Sequence, residues 1–430
     1  MLLRGARQVG KSTLVRLFAS EHGLRLAELN LERAHRLRGP FETLDPEVIM
    51  DAIASETGVD PRGQSKTLVF LDEIQAIPAA VQALRYFHED RPDVAVLGAG
   101  SLLEVALEHA KVPMPVGRIE SAWLSPMSFA EYLRALSDHE AEGAVRSFKP
   151  GSRIAGPLHE RLSRHQRDYL FVGGMPEAVA VFTEDRDPAA ISRIQRQLLD
   201  GYRDDFAKYS SGTTTQLLDL ALTRIPALIG KKLKWVSVSP DHQSREIKRA
   251  VWLLQKAGVV HLVPHTNASG APLLADADLE VTKPLFLDVG LANRLLGSDM
   301  RELSVVQPER LVNEGPLAEQ FVGQHLAAQG GGGEGGRPQA FYWLREGRAG
   351  NAEVDFVVSH GREVVPVEVK SGSAGAMKSL FAFASSHGTR RALRFDLNPP
   401  SVQTVEAHGT RFELLSLPLY LAGEAWRGLG

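Results

Sequence analysis

Gly5, Gly10, Lys11 and Ser12 stand in the run GARQVGKS, which fits the pattern G-x-x-x-x-G-K-[S/T]. Glycines at this spacing let backbone N–H groups turn inward and surround phosphate oxygens. Lys11 is then placed to reach the outer phosphates, and the Ser12 hydroxyl to ligate Mg²⁺. The helix that opens here points its positive end at the anion. The whole loop, Gly5, Ala6, Arg7, Gln8, Val9, Gly10, Lys11, Ser12 and Thr13, is expected to bind the nucleotide. A second run, TLVFLDE, puts Asp72 and Glu73 after a threonine and four apolar residues, as at the tip of a strand buried on both faces. Asp72 is expected to hold Mg²⁺ and Glu73 to polarise an attacking water, which together make ATP hydrolysis the expected chemistry. Ser101, just past VAVLG, is a candidate contact to the terminal phosphate. Arg118 is a candidate for the cation that neutralises transition-state charge, from this chain or from a neighbouring copy.

A third constellation lies near the C-terminus, in EVDFVVSHGREVVPVEVKSG. Glu368 and Lys370 are two residues apart on a strand-like run and project to one side. A short turn at HGR folds Asp355 back beside them. Two carboxylates and a lysine on one face suit metal-dependent phosphodiester cleavage, with the carboxylates on Mg²⁺ and the lysine orienting or deprotonating the water. Glu319 or Glu314, in the preceding helix, would add a ligand. The same residue types also make an ordinary exposed strand face with a salt bridge, so spacing alone leaves both readings open.

The elements that must position these groups follow from periodicity. Strand-like stretches at 24–31, 67–73 and 93–101 alternate with helical ones, among them DPEVIMDAIAS behind a capping Asp45. That alternation predicts a doubly wound parallel sheet with ligands at the carboxyl ends of its strands. The sheet is expected to end near Trp123, so residues 1–123 form a phosphate-loop core. Residues 124–210 read as a helical lid with a polar, exposed segment at 136–157. Residues 211–300 read as helices followed by the strand-like VVHLVP and PLFLDV, the outline of a winged helix. Residues 301–430 hold a helix, the glycine run at 330–336 and further strands.

Composition limits the partners. The 430 residues are 43% hydrophobic and 23% charged, with a formal net charge of -3, so no overall positive field draws the chain to nucleic acid. A local patch does exist. Between residues 213 and 265 there are eight Lys/Arg (224, 231, 232, 234, 245, 248, 249, 256) against three acids. Arg245, Lys248 and Arg249 share the outer face of a helix whose inner face carries Ile247, Val251 and Leu254, a shape suited to DNA or RNA and equally to a solvated surface. The absence of cysteine excludes a disulfide framework, thiolate metal sites and cysteine catalysis. No apolar run approaches the roughly 18 residues of a membrane helix. The opening residues reach the glycine loop too soon for a secretory signal, so a cytoplasmic home is expected.

Taken together, the chain resembles a widespread bacterial and archaeal family of AAA-type ATP-binding proteins with a C-terminal domain of unknown function similar to PD-(D/E)XK nucleases. The matching stretches are LLRGARQVGKSTLVRLF, VFLDEIQAIP, GAGSLLE, VGRIE with LSPMSFAEYL, GGMPEAV, KPLFLDVGLANRLLG, and EVDFVV with PVEVKSG. The resemblance implies an α/β multidomain protein: an ATPase core, a helical lid, a winged-helix-like region and a nuclease-like domain. It implies ATP and Mg²⁺ as cofactors, and favours Asp355, Glu368 and Lys370 as a nuclease-type set with Glu319 as the helical glutamate. Ring assembly is open to this ATPase class, but no feature fixes a subunit number. A fold can outlive its activity, so a nucleotide-gated regulator with an inert nuclease-like domain is the alternative. Relatives carry residues ahead of the first strand that help close the adenine pocket, whereas this sequence starts within that strand, so either a start upstream of Met1 or low nucleotide affinity is the expectation. Relatives also place serines where this chain has Ala99 and Gly100, a departure from the family pattern that counts against the sensor role of Ser101.

Overall fold

Apolar runs bounded by glycine and proline become a parallel sheet in the N-terminal part of the computed structural model. Strands β1 (Leu2–Arg4), β2 (Arg25–Asn30), β3 (Thr67–Asp72), β4 (Ala95–Ala99) and β5 (Ser121–Trp123) lie in the order β2-β3-β4-β1-β5, every neighbouring pair parallel. The structure describes all residues except 63–65, 111, 113–116, 211, 298–314, 331–335, 337–338, 348–350, 371–376, 408, 425–428 and 430. The chain divides into two units. The first comprises residues 1–125, 202–215 and 252–259; the second comprises 126–201, 216–251 and 260–430.

In the first unit alternate residues of each strand feed opposite cores. Leu2, Val69 and Leu71 pack on Ile49, Met50 and Ile53 of helix Pro46–Thr57, while Leu3, Leu68, Phe70 and Ala99 pack with Val15 of helix Lys11–Glu21. All six residues of β3 are buried, as its continuous apolar run requires of a strand covered on both faces. Asp45 caps helix Pro46–Thr57 by accepting the Glu47 N–H at 2.9 Å, a contribution of about 1 kcal/mol. Because the strands run one way, the loops after β1, β3 and β4 all leave from the same edge. That is what gathers residues 5–13, 72–73 and 101.

The second unit holds an eight-stranded sheet in the order β12-β13-β11-β10-β9-β8-β6-β7. Its strands are β6 (Val260–Thr266), β7 (Ala277–Phe286), β8 (Phe341–Arg345), β9 (Ala352–His360), β10 (Glu363–Val369), β11 (Arg391–Asp396), β12 (Ser401–Ala407) and β13 (Thr410–Pro418). Hairpin β6–β7 is antiparallel and joins the rest through one parallel pairing, His265 with Tyr342 of β8. The strand expected at PLFLDV starts earlier and ends sooner. β7 stops at Phe286, and Asp288 instead caps helix Val289–Leu295, accepting the Leu291 N–H at 3.0 Å. A carboxylate able to take a first-turn N–H outweighs the apolar run around it. Likewise the polar 136–157 stretch contains helix His139–Arg146, whose Ala141, Glu142 and Val145 are buried.

Helix Gly315–Gly330 carries a buried histidine with a titration consequence. His325 Nδ1 lies 2.7 Å from the Phe321 carbonyl and must donate to it, while Nε2 accepts the Phe129 N–H at 3.0 Å. Both ring nitrogens are committed in the neutral tautomer, and the Phe129 N–H cannot face a protonated Nε2. Burial accordingly pushes the imidazole down to about 4. An unfolded histidine titrates near 6.5, so the unfolded state binds the extra proton first, and stability is lost as pH falls from about 6.5 to 4, by roughly 3 kcal/mol. Asp288, pushed up to about 6 by burial, tilts the curve the other way over much of the same window. The measurement is therefore a difference: urea unfolding at pH 7.5 and pH 4.5 should show a loss in wild type that shrinks by that amount in His325→Gln. An equal loss in both proteins would refute the assignment.

Candidate active site

The phosphate loop follows β1 through backbone that few side chains allow. Gly5 has φ +145°, and a Cβ there would lie 2.3 Å from the Leu124 carbonyl oxygen. Gln8 (φ +62°) and Gly10 (φ +98°) complete a turn that delivers the chain into helix Lys11–Glu21. Gly10 offers that helix no side-chain cap, so its first-turn amides are left for an anion. Lys11 is buried and its Nζ donates to the carbonyls of Gly5 at 3.0 Å and Ala6 at 2.7 Å. Burial draws its ammonium down to about 8, although Glu73 and Asp72 pull the other way. A phosphate within reach would raise it again.

Asp72, buried at the end of β3, meets this loop directly: the Ser12 hydroxyl donates to Asp72 Oδ2 at 2.8 Å. A hydroxyl and a carboxylate converging on one point are hard oxygen ligands of the kind Mg²⁺ takes, so these residues fit the ion. Glu73 follows in the left-handed region (φ +48°), which turns its side chain away from the strand direction. Gln75 Nε2 donates to Glu73 Oε2 at 2.5 Å, and Ser101 Oγ lies 3.4 Å from the same oxygen. The structure therefore brings Lys11, Ser12, Asp72, Glu73 and Ser101 to one edge of the sheet, with Ser101 turned to Glu73.

Three supports of this site were not singled out from sequence. Gln75 orients Glu73, and its amide fills the space beside Gly100, where a Cβ would lie 2.2 Å from Gln75 Oε1. That contact explains a glycine at position 100. Arg7, from the loop, donates to Asp205 Oδ1 at 2.5 Å, which raises its pKa, and the Tyr202 hydroxyl donates to the Arg7 carbonyl at 2.9 Å. Tyr202 and Asp205 thus hold the loop from a helix some 195 positions further along the chain. Only an arginine in the loop and a buried acid in a distant helix hinted at it.

Arg118 is not brought to the phosphate loop of its own chain. It precedes β5, whose Ser121 pairs with Leu2 at the start of β1, so it lies at the amino end of the strands. Its Nε donates to Glu89 at 3.0 Å.

In the second unit, hairpin β9–β10 brings Asp355, Glu368 and Lys370 together. Asp355 Oδ2 accepts the Val369 N–H at 2.7 Å, and Lys370 Nζ donates to Glu368 Oε1. Burial, with Asp355 nearby, pushes the Glu368 carboxyl up to about 7. Glu319 reaches the same cluster but donates nothing to a metal cage: its Oε1 accepts from Lys283 Nζ at 2.9 Å. Lys283 also bonds Glu353 and stands 4.0 Å from Asp355 Oδ1. Neither Lys283 nor Glu353 was picked out from the sequence; a lysine inside the run VTKPLF was the available signal. Among the described residues no group of three histidine or acidic side chains is placed to hold a metal ion. The three carboxylates therefore do not fit the Mg²⁺ expected of them. Glu314 lies outside the described residues.

The basic helix Ser244–Lys256 buries Ile247, Val251 and Leu254 and exposes Arg245, Lys248 and Arg249. Lys248 donates to Glu280 at 2.7 Å, Lys232 to Glu346 at 2.9 Å, and Lys256 lies 3.6 Å from the centre of the Trp252 ring. Part of the local positive excess is thus used within the chain. Among the described residues no helix is long and apolar enough to cross a membrane.

Residues 1–133 match the family model of an AAA domain. Residues 163–302 match a domain of unknown function, DUF8612, and residues 314–409 another, DUF4143. No curated protein matches the chain. Among solved structures the chain is similar to the RuvB Holliday junction branch migration motor of Thermotoga maritima, at 17% identity and a TM-score of 0.28, over 60% of this chain and 80% of that one. It is also similar to protein VC1899 from Vibrio cholerae, at 11% identity and a TM-score of 0.18, over 99% of this chain and 95% of that one. The N-terminal part is an AAA-type α/β domain, and an additional mixed-sheet region follows it.

Proposed function

From the AAA domain at its N-terminus, we propose that the chain is a Mg²⁺-dependent ATPase. The observation that carries this reading is the meeting of Ser12 Oγ and Asp72 Oδ2 at 2.8 Å, beside a phosphate loop whose helix start has no side-chain cap. In this reading the first-turn amides and Lys11 bind the phosphates, and Ser12 and Asp72 hold the ion. Mg²⁺ there would neutralise charge that develops on the phosphate oxygens. Glu73, fixed by Gln75 and Ser101, orients the attacking water and accepts its proton. Residues 1–123 are then the ATPase core, 124–210 the lid, 211–300 a winged-helix-like module whose hairpin β6–β7 extends the sheet of the C-terminal strands, and 301–430 the rest of the nuclease-like domain.

What the ATPase drives is the second part of the proposal. The basic 213–265 stretch supports a nucleic-acid partner. The ammonium of Lys283 among the C-terminal carboxylates favours the alternative, in which the nuclease-like fold binds without cutting. Phosphate release from ATP and Mg²⁺, with and without DNA or RNA, tests both parts. Lys11→Ala should lose roughly 10²-fold or more of turnover. Turnover that survives this change would refute the ATPase reading, and turnover indifferent to every nucleic acid would remove the nucleic-acid part.

A further inference from the structure

The C-terminal cluster contains its own cation. Lys283 projects from β7, and its side chain is 2% exposed. Its Nζ donates to Glu319 Oε1 at 2.9 Å from helix Gly315–Gly330 and bonds Glu353 of β9. Asp355 Oδ1, also from β9, lies 4.0 Å away, and the ring of Tyr342 in β8 lies 5.1 Å from the same nitrogen. The ammonium thus stands where three carboxylates from two elements converge, with an aromatic face beside it.

A divalent ion and an ammonium cannot share such a point. Both need the same oxygen lone pairs, and two like charges at contact in a buried site repel by more than either gains from the remaining oxygens. Asp355 has in addition given Oδ2 to the Val369 N–H, and Glu368 has given Oε1 to Lys370, which leaves Glu368 Oε2 as the buried oxygen without a partner. With the ammonium at the meeting point of the carboxylates and these oxygens already bonded, the cluster does not make a site for an ion that takes six ligands.

We infer that Lys283 is a built-in counter-ion occupying the cation position of this cluster. The cluster is an ion-paired joint between β7, β9 and helix Gly315–Gly330, closed to divalent metal, and the domain built around it does not cleave phosphodiesters by a metal-dependent route. The inference concerns the second unit alone and does not depend on ATP hydrolysis by the first.

The test is Mn²⁺ binding to the full chain without nucleotide, followed by electron paramagnetic resonance and by the shift in unfolding temperature, counting only binding that Asp355→Asn removes. Wild type should show no such site. Lys283→Met, which keeps the length of the side chain and removes the charge, should gain one, binding Mn²⁺ at least tenfold more tightly than wild type and melting at a higher temperature when the ion is added. Removing one partner of a buried ion pair can prevent folding, so Lys283→Met/Glu319→Gln, which removes one charge of each sign, carries the same comparison with Glu353, Asp355 and Glu368 intact. An Asp355-dependent Mn²⁺ site in wild type overturns the inference. A folded lysine-free variant that gains no site overturns it equally, because the lysine would then not be what excludes the ion.

Discussion

Glu73→Gln is expected to lower ATP turnover by roughly 10² to 10³-fold, the usual worth of a positioned general base, and to leave ATP affinity within about threefold of wild type. The separation of the two effects follows from where the groups sit. Lys11, Ser12, Asp72 and the loop amides bind phosphate and ion, and none of them leans on the Glu73 side chain for position. Glu73 stands one residue beyond, in a left-handed turn, and its carboxylate is held by Gln75 at 2.5 Å. Glutamine keeps the length and loses only the negative charge that accepts a proton. Binding by fluorescent nucleotide displacement and turnover by phosphate release, measured on the same preparation, give the comparison. Retained turnover would mean that another group takes the proton. Equal loss of binding and turnover would mean that Glu73 holds the ion rather than the water.

How much of this was legible in the sequence depends on whether a residue's role is local. The phosphate loop and the Asp72–Glu73 pair are each defined within a few residues, by glycines that permit the turn and by an apolar run that fixes a buried strand. The parallel sheet expected around them is the one observed. The roles of Gln75, Tyr202 and Asp205 are set by a contact made after folding: Tyr202 is 195 positions from its partner Arg7. No periodicity encodes such a distance. The C-terminal cluster shows the same limit more sharply. Spacing brought Asp355, Glu368 and Lys370 together because a hairpin is local. Lys283 enters from another strand, and its charge reverses what the carboxylates can do. β7 was partly missed for a related reason: residues 278–280 are exposed at the sheet edge, so its first half carries no apolar alternation.

A second large effect concerns a glycine that belongs to neither cluster of charges. Gly173 ends helix Gly156–Val172 with φ +74° and ψ −169°, a backbone region essentially closed to residues with a Cβ. A Cβ built there would lie 2.0 Å from Asp288 Oδ1 and 2.7 Å from Asp288 Cγ. Asp288 has little freedom to yield: it is fully buried, accepts the Gly174 N–H at 2.7 Å, and caps helix Val289–Leu295. Moving its carboxylate would strand two buried N–H groups and a buried acid at once. On the far side, a Cβ at Gly290 would lie 2.6 Å from the Gly173 nitrogen, so the two helix ends approach backbone to backbone. Backbone strain of about 1–3 kcal/mol therefore adds to lost hydrogen bonds of about 1–3 kcal/mol each. Gly173→Ala should cost more than about 4 kcal/mol, enough to take a protein of ordinary stability close to unfolding. Gly143→Ala is the control, since nothing lies within 4 Å of a Cβ at that helix position, and it should stabilise by up to about 1 kcal/mol. Urea unfolding of the two variants beside wild type decides the matter. A Gly173→Ala protein within 1 kcal/mol of wild type would show that Asp288 can move, and that the turn joining the two helices tolerates what its geometry here forbids.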